Sequence, residues 1–141
     1  MKTIAVIHGP NLDQLAKREK DIYGGLSLEA LNQQLKTKAD DLGFDLRFFQ
    51  SNHEGAIIEE IHALLALDVA GLVINPAAYT HSSVAIRDAL VMLTIPIVEV
   101  HLSNIHSREP FRSTSLTAAV VTGQISGFGV KSYEMALQAF L

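Results

Sequence analysis

Cysteine is absent from this chain of 141 residues. That absence excludes disulfides, thiol nucleophiles and thiolate metal sites, and it fits a reducing compartment. Also missing is any apolar run near the roughly 20 residues that a membrane-spanning helix needs. Thr3 to Ile7 is too short for the apolar part of a signal peptide, so a cytoplasmic protein without membrane contact is expected. Nor is there a basic excess: 11 Lys and Arg face 15 Asp and Glu, for a net charge of -4. Nucleic-acid binding rests on a basic footprint and is not expected. An anionic small-molecule substrate would have to be met by a few local arginines. Neither G-x-G-x-x-G nor G-x-x-x-x-G-K-[ST] occurs, so no dinucleotide or nucleoside triphosphate is indicated. H-E-x-x-H is missing as well. His81, His101 and His106 lack a dependable further ligand such as a strand-end Asp, so no metal is expected.

What the chain has in quantity is apolar surface. Hydrophobic residues make up 48% and charged ones 18%, with a mean hydropathy of +0.23. A single catalytic domain over residues 1–141 would bury roughly 70% of the surface its unfolded chain exposes. Subunit contacts can take up the remaining apolar excess. No internal repeat, linker or low-complexity tract divides the chain.

Short apolar runs alternate with helical periods, the pattern of a parallel α/β sheet covered on both faces. The strands are expected at Thr3 to Ile7, Asp45 to Gln50, Gly71 to Asn75, Ile95 to His101 and Gly123 to Ser126. Five of them predict a flavodoxin-like three-layer sandwich with strand order 2-1-3-4-5. Ser27 is placed to cap a helix running to Leu42 and ending at Gly43, with Glu29 in its first turn. Ile57, Ile58, Ile61, Leu64 and Leu65 form the apolar stripe of a second helix whose Glu59, Glu60 and His62 should face water. Two more helices are expected over 82–93 and 130–141. The segment 8–25 is far longer than the about 2–6 residues usual between a strand and a helix. It reads as a lid, with Gly24 and Gly25 as its hinge.

The most telling stretch is Ile95-Pro96-Ile97-Val98-Glu99-Val100-His101. In a strand, residues i and i+2 share a face, so Glu99 lies beside His101 near the carboxyl edge, where open parallel sheets bind ligands. A carboxylate beside an imidazole fixes its tautomer and raises its basicity. Alone, such a pair is more often an ion pair that satisfies a buried histidine. The other strand ends add polar groups on the same edge: Pro10-Asn11 and the long segment, Ser51 to Glu54, Asn75 to His81, and His101 to Arg112. Converging loops of this kind make a site.

The blocks Gly9-Pro10-Asn11-Leu12, Lys17-Arg18-Glu19, Ile22-Tyr23-Gly24, Phe49 to Gly55, Asn75-Pro76, Tyr79-Thr80-His81, Ala85 to Ala89, Val98 to Ile105, Arg108 to Arg112 and Gly123 to Gly129 resemble type II 3-dehydroquinate dehydratase. They follow one another in order over nearly the whole chain. The resemblance implies dehydration of 3-dehydroquinate to 3-dehydroshikimate through an enolate, by anti elimination and without metal or cofactor, in aromatic biosynthesis or quinate breakdown. It implies Tyr23 as the base, acting as tyrosinate with Arg18 beside it and Arg108 as a second candidate. One cation at ~4 Å is worth about 4 kcal/mol at an effective dielectric near 20. It further implies Asn11 holding a water at the enolate oxygen and His101, oriented by Glu99, as the acid. Asn75, Leu102 and Ser103 would bind substrate, the last two at its carboxylate, and His81 and Arg112 would reach its ring hydroxyls. Asp88 would act across a subunit contact in a homo-oligomer, a dodecamer built as a tetramer of trimers. For His53 and His106 a turn-capping or supporting role is expected.

The chain departs from the family pattern in the first lid block. His8 and Asp13 replace two Asn residues, Ala16 a Gly and Lys20 a Pro. Ala77 replaces a Gly after Asn75-Pro76. His8 and Asp13 add titratable groups near the loop that carries the base, and Ala77 tightens the fit if that backbone lies against substrate. Two readings from other classes compete: a non-enzymatic signalling module, which would want an Asp where Asn75 stands, and a metal-dependent hydrolase.

Overall fold

The computed structural model describes residues 1–23 and 25–141; Gly24, half of the expected hinge, lies outside the described residues. The α/β alternation is as the sequence pattern predicts. In chain order the elements are β1 (Lys2–His8), α1 (Lys20–Tyr23), α2 (Leu28–Leu42), β2 (Phe44–Gln50), α3 (Glu54–Leu64), β3 (Gly71–Asn75), α4 (Val84–Val91), β4 (Ile97–His101), β5 (Gly123–Ser126) and α5 (Lys131–Gln138). All strand pairs are parallel, in the order β2-β1-β3-β4-β5.

Every residue of β3 and β4 is buried, as expected of strands covered on both faces. Strand alternation then divides the core. Ile4, Val6, Val73, Val98 and Val100 pack with Leu31 and Leu35 of α2 and Tyr133 and Leu137 of α5. Ala5, Ile7, Leu72, Ile74 and Ile97 pack with Ile57 and Ile61 of α3 and Ile86 and Leu90 of α4. The same parity carries on to the strand ends. His8 and Asn75 continue the first face, whereas Glu99 and His101 continue the second.

Local signals set the helix limits. The Ser27 side chain accepts a hydrogen bond from the Ala30 amide at 3.1 Å, and Gly43 closes α2 at φ 84°. The Ser83 side chain caps α4 by accepting from the Ile86 amide at 2.9 Å, so α4 starts later than expected. β4 starts at Ile97 rather than Ile95, since Pro96 has no amide hydrogen to give the ladder.

Two expectations about α3 need correction. Leu65 lies beyond the helix and is exposed, and Glu60 is buried rather than wet. Arg47 on β2 reaches over and grips both Glu60 oxygens, at 2.9 and 3.1 Å, which satisfies the buried carboxylate. The segment 8–25 is also more structured than a free lid. It forms 3-10 turns over Leu12–Lys17 and then α1, and it sinks Leu12, Leu15 and Tyr23 into the core. Among the described residues, no helix is long and apolar enough to cross a membrane.

Gly71 shows how tightly the turn after α5 closes on the sheet. A Cβ there would stand 2.2 Å from the Phe140 ring. Gly71→Ala should therefore cost roughly 1–3 kcal/mol, the usual range for overpacking, and Gly71→Ala/Phe140→Leu should recover part of it. Thermal unfolding of the two variants measures this, and a single variant as stable as the parent would contradict the packing described.

Candidate active site

The carboxyl ends of β1, β3 and β4 surround a cavity of about 110 Å³. Asn11, Arg18, Tyr23, Asn75, His81, His101, Leu102, Ser103, Arg108 and Arg112 all line it, so the structure brings together every candidate site residue except Glu99 and Asp88. Glu99 lies one layer behind, fully buried. Asp88 is on the outer side of α4, its carboxylate 2.8 Å from Arg87 and largely exposed. An adjoining depression of about 580 Å³ shares Tyr23, Leu102, Ser103 and Arg108 but runs outward toward Lys20 and Gly129. It contains neither His101 nor Asn75, so Tyr23 and His101 converge in the smaller cavity.

Gly9 makes the convergence possible. Its amide donates to the Asn75 carbonyl at 2.7 Å, and a Cβ on it would meet that carbonyl at 2.8 Å and the Pro76 carbonyl at 2.7 Å. The exits of β1 and β3 could not touch with any larger residue. Asn11 follows in the left-handed region at φ 70°, which Asn tolerates better than most residues, and its amide is fixed by the Asn52 side chain at 2.9 Å. Ala77 is left-handed too, at φ 51°, with its amide donating to Asn75 Oδ1 at 3.0 Å. The glycine expected at this position from the family pattern would adopt that conformation freely.

On one wall of the cavity, the Tyr23 hydroxyl receives two guanidinium donors. Arg18 Nη2 approaches to 2.6 Å and Arg108 Nη1 to 2.8 Å, and the Arg18 guanidinium also lies 3.9 Å from the ring centre. Arg108 thus stands beside Arg18 as a full partner of Tyr23. It reaches the Ser103 hydroxyl at 3.2 Å as well, which ties the tyrosine to the turn after β4. That turn is held by the Gly129 amide, which donates to the Leu102 carbonyl at 2.9 Å. Arg112 is braced by Glu109 at 2.9 Å, and the hydrogen bond it donates holds the Glu109 carboxyl below the usual range.

On another wall, His101 Nε2 is 2.6 Å from Glu99 Oε2, leaving Nδ1 as the ring nitrogen available to the cavity. Glu99 has more partners than the sequence disclosed: Thr80 at 2.8 Å, Gln124 at 3.1 Å and the Thr117 hydroxyl. Burial alone would push its carboxyl up. The hydrogen bonds from His101, Thr117 and Thr80 and the charge of His101 outweigh burial and hold it below the usual range. Thr80, Thr117 and Gln124 were not singled out from sequence. In the sequence Thr80 and Gln124 stand inside the blocks Tyr79-Thr80-His81 and Gly123 to Gly129 and Thr117 in the hydroxyl-rich run Ser113 to Thr117, while the structure registers Gln124 opposite Glu99. His81 Nδ1 donates to the Thr114 carbonyl at 2.7 Å, which leaves Nε2 as its free ring nitrogen.

The remaining histidines fall outside the cavity lining. His53 occupies the cap position of α3 without a side-chain bond, and its amide donates to the Ser51 hydroxyl at 3.0 Å. His106 is exposed, its amide bonded by the Asn104 side chain. His8 requires a correction. It does not add a titratable group beside the base but lies fully buried beneath the site, between Asn32 at 2.8 Å and the Tyr133 hydroxyl at 2.9 Å, with Phe48 stacked alongside. Burial lowers its pKa to about 4. Asp13, by contrast, stays at the surface and accepts from the Asn52 side chain. No group of three His, Asp or Glu side chains is arranged to hold a metal ion among the described residues.

A flavodoxin-like parallel sheet with a small polar cavity at its carboxyl edge, walled by an arginine-held tyrosine and a carboxylate-held histidine, defines a flavodoxin-like α/β enzyme. A family profile described as Dehydroquinase class II matches residues 2–141. A protein of Caldicellulosiruptor bescii named 3-dehydroquinate dehydratase is 55% identical over 139 residues, covering 99% of this chain and 96% of its own. A protein of the same name from Acaryochloris marina is 54% identical, covering 99% and 93%. The crystal structure of type II dehydroquinase from Butyrivibrio crossotus superimposes with a TM-score of 0.96 at 46% identity, covering 99% and 97%. The chain belongs to the class II dehydroquinases.

The buried, neutral His8 has a measurable consequence. Between pH 6.5 and 4 the unfolded chain takes up a proton on this residue and the folded chain does not, so stability falls as pH drops through that window. From pH 7 to 5 the loss attributable to His8 is roughly 2 kcal/mol, given an unfolded pKa near 6.5 and the folded value of about 4. Denaturant unfolding should show His8→Asn losing correspondingly less stability over that range; parallel pH profiles for the two proteins would contradict the assignment.

Proposed function

We propose that Tyr23 and His101 carry the dehydration of 3-dehydroquinate to 3-dehydroshikimate as base and acid, in a cytoplasmic enzyme that uses no cofactor. The reaction is the one for which the relatives are named, a hydro-lyase step of the shikimate pathway. The single observation that supports the roles is the pair of guanidinium groups on the Tyr23 hydroxyl. Two positive charges there favour a negative phenol oxygen, which water would otherwise have to supply. Tyr23 then takes a proton alpha to the ketone, and the electron pair moves to the carbonyl oxygen to give an enolate. Asn11 holds a water against that oxygen. As the enolate collapses, the ring double bond forms and His101 gives a proton to the departing beta hydroxyl, which leaves as water.

Glu99 supports the imidazole as it changes charge. Ser103 and the backbone at Leu102 and Ser103 take the substrate carboxylate, with Arg108 close by, and Asn75, His81 and Arg112 meet the ring oxygens. Asp88 completes the site of a neighbouring subunit in a dodecamer made as a tetramer of trimers. An exposed stripe on α4 supports this assembly: Val84, Val91 and Met92, 58%, 54% and 51% exposed, flank Asp88. Apolar side chains at i, i+7 and i+8 around a charge form a contact face rather than a solvated one.

Chelator-treated protein mixed with 3-dehydroquinate should raise ultraviolet absorbance as the conjugated product forms, and no signal at high protein concentration would overturn the function. Tyr23→Phe and His101→Ala should each lower turnover by about 10²–10⁴-fold, the usual worth of general acid-base catalysis, while leaving substrate binding largely intact. A variant with near-normal turnover removes its residue from the chemistry. Gel filtration should give a particle many times the monomer mass; a monomer would leave Asp88 without a partner site.

A further inference from the structure

Three side chains reach Glu99 from behind the cavity, and none of them lines it. Thr80 donates to Glu99 Oε2 at 2.8 Å, Gln124 Nε2 donates to the same oxygen at 3.1 Å, and the Thr117 hydroxyl donates to Oε1. With His101 Nε2 at 2.6 Å, the carboxylate receives four donors, against about four lone-pair sites. A further hydroxyl stands behind the threonines. Ser115 Oγ accepts from the Ala118 amide at 3.0 Å and lies 2.6 Å from Thr80 Oγ1. Thr80 has one proton and two acceptors in reach, Glu99 Oε2 and, at 2.7 Å, Thr117 Oγ1. Because the Thr117 proton goes to Glu99, both routes end on the carboxylate. The Ser115 proton is left for Thr80, so the hydroxyls form a row that points from a backbone amide to Glu99. Hydrogen bonds aligned in this way strengthen one another. Thr80, Thr117 and Glu99 are each at 0% exposure, so bulk water does not reach them.

We infer that Thr80, Thr117 and Gln124 are positioning residues for the acid step, which draw the charge of Glu99 away from His101 and so let the imidazole part with its proton. A buried carboxylate without such donors would keep the proton of the pair in one of two ways, as an imidazolium ion pair or on its own oxygen. Each neutral donor favours the form in which Glu99 is charged and His101 is neutral. That is the form left once the departing hydroxyl has been protonated, so the donors stabilise the pair more after the transfer than before it. The two groups exchange protons as a unit. Among the described residues, β3, the turn after it, the loop before β5 and β5 itself bring Glu99 no charged side chain, and His101 is its one titratable partner. His101 in turn shares its cavity with Tyr23, Arg18, Arg108, His81 and Arg112, all of which stay in place when the donors are substituted. The inference rests on the reading of His101 as the acid in the proposed dehydration.

Gln124→Met removes one donor from an exposed position of β5 and leaves the buried hydroxyls untouched. The basic limb of the kcat profile, where the pair loses its proton, should move upward by roughly half to one pH unit, the worth of one hydrogen bond to a charged group passed on in part to its neighbour. At the optimum kcat should fall about two- to fivefold, as for a weaker acid, with KM within about twofold because the cavity lining is unchanged. Thr80→Val should move the limb the same way, and Thr80→Ser, which keeps the hydroxyl, should not. Without substrate, NMR titration of isotope-labelled histidine should show the same upward move at His101. In a Glu99→Gln background Gln124→Met should move neither readout, as the route runs through the carboxylate. An unmoved or lowered limb in Gln124→Met or Thr80→Val would overturn the inference, as would equal moves in Thr80→Val and Thr80→Ser or a move that persists in the Glu99→Gln background. A parent protein without dehydratase activity would instead overturn the function, and near-normal turnover in His101→Ala the acid assignment, while the NMR titration still reads the donors. Thermal melts identify a variant that has lost its fold; should Thr80→Val be one, Gln124→Met decides.

Discussion

The burial of one carboxylate, Glu99, organises the functional end of the molecule. A charge removed from water is tolerated only if its partners replace the lost hydration. Here they come from four different places: His101 on the same strand, Thr80 from the turns after β3, Thr117 from the loop before β5, and Gln124 from β5 itself. Satisfying Glu99 therefore draws three otherwise independent segments together. It also holds the ring of His101 by one nitrogen and leaves the other for chemistry.

The tyrosine wall follows a different logic. Arg18 belongs to the segment that crosses the end of β1, while Arg108 comes from the turn after β4, so the two cations on Tyr23 are brought together only when the segment is folded down. The buried side chains Leu12 and Leu15 hold it there. Hydrophobic burial on one side of the segment thus serves electrostatics on the other. His101 is held by a carboxylate from within the sheet and Tyr23 by arginines from the loops.

The buried strands were legible because a parallel strand covered on both faces reads as an unbroken apolar run, and Gly71–Asn75 falls where the pattern puts it. Ser27 and Gly43 marked α2 because caps are local chemistry. What escaped was non-local. Glu60 looked solvent-facing on its own helix because its partner, Arg47, stands on β2, and nothing in the helix period encodes that reach. The partners of Glu99 escaped for the same reason, as threonines far apart in sequence gain meaning only from the topology. His8 was visible as a departure from the family pattern, yet its position at the end of a strand did not disclose that it turns away from the cavity into the layer beneath. The catalytic candidates were legible because a resemblance over the whole chain supplied their roles, while the geometry that joins them came from the fold.

Ala77 carries a methyl group where its backbone bends into the left-handed region at the edge of the cavity. The bend is maintained from behind, by Asn75, so the methyl cannot swing away without loosening a side chain that lines the cavity. For inhibitor chemistry this makes the position a fixed steric landmark. A compound shaped to press against a bare glycine there would meet a carbon atom in this protein, and one trimmed by the width of a methyl would find a complementary apolar contact. A single backbone torsion thereby becomes a handle for telling this enzyme from relatives with glycine in its place.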